Sequence, residues 1–263
     1  MQSPSRCDPG YLARIAESPH LRAVKERAHG LLGLGAGMRV LDLGCGPAID
    51  TIAFAMRVGR GGLVVGVDHD AAMTTRADRK AAAAGVGGFT RHLVARAGAL
   101  PFGAAAFDAC FCDRLLQHVP PARVGGIAAE MLRVVRPQGR IVVLDTDWAT
   151  LSIASPFPWL ERDIVHEFLH GFANPFSGRH LPELLQSAGL AGLCVESFDV
   201  PLGIESLEYL LAPTLARCVR EGRFEPPDVQ AFQEALRASR DVGWVGHLST
   251  VLVAGMVGEG ESQ

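Results

Sequence analysis

Long apolar runs are missing from this chain. No stretch approaches the roughly 18–20 consecutive apolar residues that cross a bilayer, and Met1 to Pro9 is polar with no hydrophobic leader segment. Neither a membrane span nor an export signal is therefore expected, and a cytoplasmic location follows. Paired CxxC spacings are also missing. The six cysteines, at 7, 45, 110, 112, 194 and 218, read as reduced thiols, and no metal site is expected from them. A basic excess is missing as well: 25 Lys and Arg against 28 Asp and Glu leave a net charge of −3, which argues against an electrostatic grip on nucleic acid. What the chain does have is apolar content, 48% against 20% charged residues over 263 positions. That suffices for the core of one large α/β domain or two small ones.

Periodicity supplies the elements. Helical spacing runs from His20 to Leu34, with Arg22, Lys25 and Arg27 expected on a basic outer face. Met38 to Leu43 is an apolar run that breaks into Gly44-Cys45-Gly46, and a helical pattern follows from Ile49 to Val58. This predicts a strand, a tight turn and a helix N-terminus, whose unpaired N–H groups suit a polar or anionic ligand group. Further strands are predicted at Leu63–Asp68, Phe89–Ala95, Phe107–Cys112 and Arg140–Leu144, separated by helices at Ala71–Ala84 and Ala122–Val135. Continuous apolar strands alternating with helices indicate a doubly wound, mostly parallel α/β sheet. Ligands in such sheets lie beyond the carboxyl ends of the strands, which singles out Gly44, Asp68, Arg96, Asp113 and Asp147 as residues of one rim. After Trp148 the pattern changes to helices at Phe157–His170 and Gly178–Ala188, a strand at Leu193–Val200, a helical pair over 206–240, and a last strand at Leu248–Val257.

A third glycine is missing from the turn. Dinucleotide binding wants G-x-G-x-x-G, so that helix and strand pack closely around a pyrophosphate, and Ile49 stands at the sixth position. A nucleoside without a pyrophosphate fits better. Asp68, at the end of the second strand, is placed to accept both hydroxyls of its ribose; Asp70 is the better helix cap by position.

The linked segments VLDLGCGPA, VVGVDHD, ALPFGAAAFDACFCDRLLQHV and MLRVVRPQGRIVVLD resemble the class I S-adenosylmethionine-dependent methyltransferases, and within them the branch of ubiquinone and menaquinone biosynthesis. The resemblance implies a Rossmann-like, seven-stranded sheet with an antiparallel last strand, and S-adenosyl-L-methionine as cofactor with S-adenosyl-L-homocysteine as product. It implies that Asp42 supports the loop and the methionine ammonium, and that Gly44, Cys45 and Gly46 pass under the methionine part. By the same resemblance Asp68 holds the ribose, His69 flanks the adenine, Arg96 and Ala97 lie at the adenine edge, and Asp113 and Arg114 lie near the methionine part. One departure stands out: Arg96 occupies a position where the family often has an acid.

The acceptor is expected to be a small, largely apolar molecule, quinone-like or of secondary metabolism, methylated at O, N or C. Candidate general bases are His118, His166 and His170, in that order, since a neutral imidazole near pH 7 suits proton removal. Trp148, Trp159, Phe168, Phe172, Phe176, His180, Trp244 and His247 are candidates for the walls of an acceptor pocket. The chain divides into an N-terminal helical arm or lid (1–34, with Tyr11), a cofactor-binding core (35–148), and substrate-side helices with the last two strands (149–263). Homodimerisation is left open. Two rival readings stand beside this one: a methyltransferase-fold protein that binds a ligand or promotes a cyclisation without transfer, and an NAD-dependent oxidoreductase.

Overall fold

The apolar runs form one seven-stranded sheet. In the computed structural model, which describes residues 18–239 and 245–259, the strands are β1 (Arg39–Leu43), β2 (Leu63–Asp68), β3 (Thr90–Val94), β4 (Phe107–Asp113), β5 (Val135–Ile153), β6 (Leu190–Leu202) and β7 (Gly246–Val257). Their order across the sheet is β3-β2-β1-β4-β5-β7-β6. The first five are parallel, and β7 lies antiparallel to both β5 and β6. The mostly parallel sheet with an antiparallel last strand is the predicted architecture.

Eight α-helices accompany the sheet among the described residues: α1 (Pro19–Leu31), α2 (Ile49–Val58), α3 (Ala71–Ala83), α4 (Pro121–Val134), α5 (Pro158–Leu169), α6 (Ser177–Ser187), α7 (Ile204–Arg220) and α8 (Pro226–Ala238). Side chains from α4 and α6, such as Met131 and Leu181, meet Leu41, Leu43 and Val67 in one core. Val24 and Ala28 of α1, with Phe54 of α2, meet Val40, Val64 and Phe111 in another. Strands covered on both faces must be apolar at nearly every position, which is why β2 reads as a hydrophobic run up to Asp68 and β1 as one interrupted only by Asp42 after Arg39. A third core gathers α5, α7 and α8 around Trp148, Phe168, Leu211 and Phe232, forming a helical cap beyond the strand ends. None of the described helices is long and apolar enough to cross a membrane.

The structure corrects the fifth strand. It was expected to end at Leu144, with Asp147 on the rim, yet β5 continues to Ile153. The reason is its partner: β7 pairs with β5 through Asp147↔Ser249 and, after an irregularity, again at Ser152↔His247. Asp147 is therefore buried within the sheet, where its carboxylate accepts a 2.5 Å hydrogen bond from Arg179 Nε. The strand order reverses between β1 and β4, both of which neighbour each other while their following helices diverge. There the loops part and open a crevice.

Candidate functional site

The glycine turn after β1 is built by backbone geometry that side chains resist. Gly44 and Gly46 have φ of +79° and +50°, in the left-handed region that glycine enters freely. The N–H groups of Gly44 and Cys45 both donate to Val67 O, at 2.7 and 3.0 Å, folding the turn over the end of β2. Asp68 completes the tie: its Oδ2 accepts from Gly46 N–H and its Oδ1 from Asp70 N–H, each at 2.9 Å. A Cβ added to Gly46 would meet no protein atom within 4 Å, whereas one on Gly44 would press on Leu115 at 3.2 Å. The turn is thus closed on the β4 side and open over Gly46. Cys45 offers only its backbone, because its thiol packs toward Gly66 and His92 and burial pushes the thiol far up.

Beneath the turn lies Asp42, only 2% exposed. Thr51 Oγ1 donates to its Oδ2 at 2.5 Å. Burial, reinforced by the negative charge of Asp50, raises its carboxyl to about 7.

Helix α1 brings a charge cluster that the sequence reading missed. Lys25 Nζ lies 2.6 Å from Asp50 Oδ2 and 3.0 Å from Asp113 Oδ2, and His29 Nε2 donates to Asp50 Oδ1 at 2.9 Å. Arg114 donates twice to Asp113, through Nε at 3.0 Å and Nη2 at 2.9 Å. Burial opposes the charge on Lys25, but Asp113 and Asp50 together hold its pKa above the ordinary value. Burial likewise opposes ionisation of Asp50 and Asp113. For Asp50, Lys25 and His29 overcome it; for Asp113, Arg114 and Lys25 do, and both carboxyls stay low. Lys25 was expected on an outer basic face. It turns inward because α1 packs on the sheet through Val24 and Ala28, which carries the neighbouring Lys25 to the crevice. The legible signal was the i, i+4 pair Lys25 and His29 beside the apolar stripe.

Two cavities adjoin here. One of about 170 Å³ is lined by Lys25, His29, Asp50, Asp113, Arg114 and Leu144, among others. The other, about 50 Å³, is walled by Trp148, Val200, Leu202, Tyr209, Leu210 and Leu248, among others. Leu21, Arg114 and Thr250 belong to both. A space lined by charges of both signs, Glu26, Asp50 and Asp113 with Arg22, Lys25 and Arg114, therefore borders an apolar one.

The remaining expected residues are placed as follows. His69 is 74% exposed at its side chain, with Nδ1 3.3 Å from Asp68 Oδ1. Arg96 is exposed and Ala97 half-buried, in a turn where Arg96 bridges to Ala99. His118 is exposed, and its ring lies 6.2 Å from that of Phe172. Phe172 in turn stacks on Trp148 at 4.7 Å. His166 and His170 are not brought to this rim. Helix α5 buries Leu160, Ile164 and Phe168, so the two histidines occupy its exposed flank, rings 4.6 Å apart, and line neither cavity. Their ligand atoms and a carboxylate oxygen of Glu167 fall within 4.8 Å of one another, but Glu167 turns inward to Arg217 and Arg223. Trp159 and Phe176, expected in a pocket wall, are exposed. Tyr11 and Trp244 lie outside the described residues.

Residues 40–139 match the family model described as a methyltransferase domain. The chain is 33% identical over 186 residues to the demethylmenaquinone methyltransferase of Lactobacillus johnsonii, a match covering 65% of this chain and 75% of that protein. It is 32% identical over 189 residues to an uncharacterised 37.1 kDa protein of transposon TN4556 from Streptomyces fradiae, covering 69% of this chain and 51% of the other. It spans about half the length of several of the curated relatives it matches. Among solved structures, the YcgJ protein of Bacillus subtilis superposes with a TM-score of 0.63 at 20% identity, over 92% of this chain and all of the other.

Proposed function

This chain belongs to the class I S-adenosylmethionine-dependent methyltransferases, and from that premise we propose that it methylates an oxygen, nitrogen or carbon atom of a small, largely apolar metabolite of the quinone or secondary-metabolite kind. The observation that carries the reading is the pair of adjoining cavities, one lined by charges of both signs and one apolar, sharing Arg114, Leu21 and Thr250 at the carboxyl rim of the sheet.

The residues that would hold the cofactor are those of the turn. Asp68 stands beside it with lone pairs left for ribose hydroxyls, the backbone at Gly46 is open to close approach, and Asp42 lies buried beneath it as the carboxyl for the ammonium; Asp50 and Asp113 are already paired with Lys25, His29 and Arg114. When bound, S-adenosylmethionine supplies an electrophilic methyl whose bond to sulfur breaks as the bond to the acceptor forms, leaving S-adenosylhomocysteine. The protein's share is to bind, align and exclude water. Trp148, Leu202, Leu210 and Leu248 desolvate an apolar acceptor, and Tyr209 and Arg114 border the same space with polar groups. His118, beside the Trp148–Phe172 stack, is the histidine of the three candidates that stands next to this wall.

Calorimetry with S-adenosylmethionine, followed by measurement of S-adenosylhomocysteine in the presence of phenols and quinols, tests the proposal. Binding and acceptor-dependent product are expected. An absence of binding at millimolar cofactor would refute it, and binding without product would move the chain to a non-transferring role on the same fold.

A further inference from the structure

Gln117 has each of its polar groups engaged. Its N–H donates to Asp145 Oδ2 at 3.0 Å and its carbonyl accepts from Asn174 N–H at 3.0 Å. The side-chain Oε1 accepts from Trp148 Nε1 at 2.7 Å, and Nε2 lies 3.1 Å from His118 Nε2. The residue is 4% exposed, so none of these contacts is readily exchanged for water.

A carboxamide can be turned end for end without changing shape, so the chemistry of its neighbours decides its orientation. An indole N–H can only donate. Trp148 therefore requires the oxygen of Gln117, and packing fixes that indole: its ring stacks on Phe172 at 4.7 Å and meets Phe168 edge-on at 5.3 Å. The amide NH₂ is left facing His118. An N–H is satisfied there only by a ring nitrogen that carries no proton, so His118 Nε2 is the acceptor and the proton of the neutral ring sits on Nδ1.

We propose that Gln117, locked by Trp148, is a positioning residue that holds His118 in its Nδ1–H tautomer. His118 Nε2 is thereby withdrawn from proton abstraction. Protonating Nε2 would set N–H against N–H and requires the amide to leave. Trp148 also lines the apolar cavity, so the tautomer of His118 is tied to the wall against which an acceptor would lie. The consequence for catalysis rests on the methyltransferase reading; the tautomer itself does not.

Long-range ¹H–¹⁵N correlation of the histidine rings in the full chain reads the tautomer directly, at about pH 8, above the ordinary imidazole pKa of about 6.5. The His118 signals are identified by their loss in His118→Ala. In the unsubstituted protein, Nδ1 is expected in the protonated range and Nε2 in the unprotonated range, with a preference of about tenfold or more, since the alternative strands a buried amide N–H. Gln117→Glu presents only acceptors and should invert the pattern. Trp148→Phe keeps the ring stack but removes the indole N–H, frees the amide to turn, and should shift both signals toward averaged values. A protonated Nε2 in the unsubstituted protein would overturn the proposal, as would an unchanged pattern in both folded variants. These outcomes do not depend on methyl transfer, so they are separable from failure of cofactor binding.

Discussion

Replacing Asp42 with asparagine separates what this carboxylate does to the fold from what it does for a ligand. Its carboxyl is raised from an ordinary 3.8 to about 7, first by burial and then by the charge of Asp50. Between those values the folded protein keeps a proton that the unfolded chain has lost, so stability falls as pH rises through the window. The sign is that of a raised carboxyl: no cost below 3.8, the full cost above about 7. About 3 pH units at ~1.36 kcal/mol each give a penalty of about 4 kcal/mol. Asparagine cannot ionise and can still accept the Thr51 hydroxyl through its oxygen. Urea unfolding near pH 4 should therefore find Asp42→Asn close to the unsubstituted protein, and near pH 8.5 it should find the variant more stable by about 3–4 kcal/mol. A stability difference that does not widen with pH would refute the reasoning. The same substitution should weaken cofactor binding, because a cationic ligand favours the ionised carboxylate. Calorimetry near pH 6 in buffers of different ionisation heat should show proton release on binding that the variant lacks.

Other substitutions test other parts of the site. Asp68→Ala removes the acceptor for both Gly46 N–H and Asp70 N–H; the expectation is at least tenfold weaker cofactor binding in titration calorimetry, and unchanged affinity would refute the ribose assignment. Lys25→Met withdraws the cation between Asp50 and Asp113 and should cost about 3–5 kcal/mol in urea unfolding; a loss below about 1 kcal/mol would mean the cluster is not energetically coupled. Gly178→Ala places a Cβ 2.7 Å from Asp147 N and 2.9 Å from Thr146 C. Backbone atoms cannot yield as side chains do, so a loss of about 1–3 kcal/mol is expected, and a neutral result in thermal unfolding would contradict the packing.

The sheet was legible because its strands are buried on both faces, and a continuous run such as Leu63–Val67 has few other readings. The turn was legible because the residues at Gly44 and Gly46 answer a backbone requirement that is local. Lys25 was not legible in the same way. On a helical wheel it sits at the edge of the apolar stripe, and whether an edge residue faces water or a crevice depends on what α1 packs against. That His166 and His170 stand on the exposed flank of α5 was hidden for the related reason that helical spacing identifies residues sharing a face without saying which face is buried. The extension of β5 was hidden because its partner β7 lies about a hundred residues later in the chain; nothing local to Asp145–Ile153 reports that pairing.

The helical pair α7 and α8 leaves the sheet after Leu202 and returns at Gly246, and these two residues are direct cross-strand partners. The insertion is thus a hairpin loop grown large, with its entrance and exit side by side. Ser206, Tyr209 and Leu210 of α7 line the smaller cavity, whereas Gly44, Gly46 and Asp68 belong to the first two strands and the turn between them. If that cavity takes the acceptor, as proposed, substitutions at these three positions of α7 are the ones that vary acceptor range while leaving the glycine turn untouched.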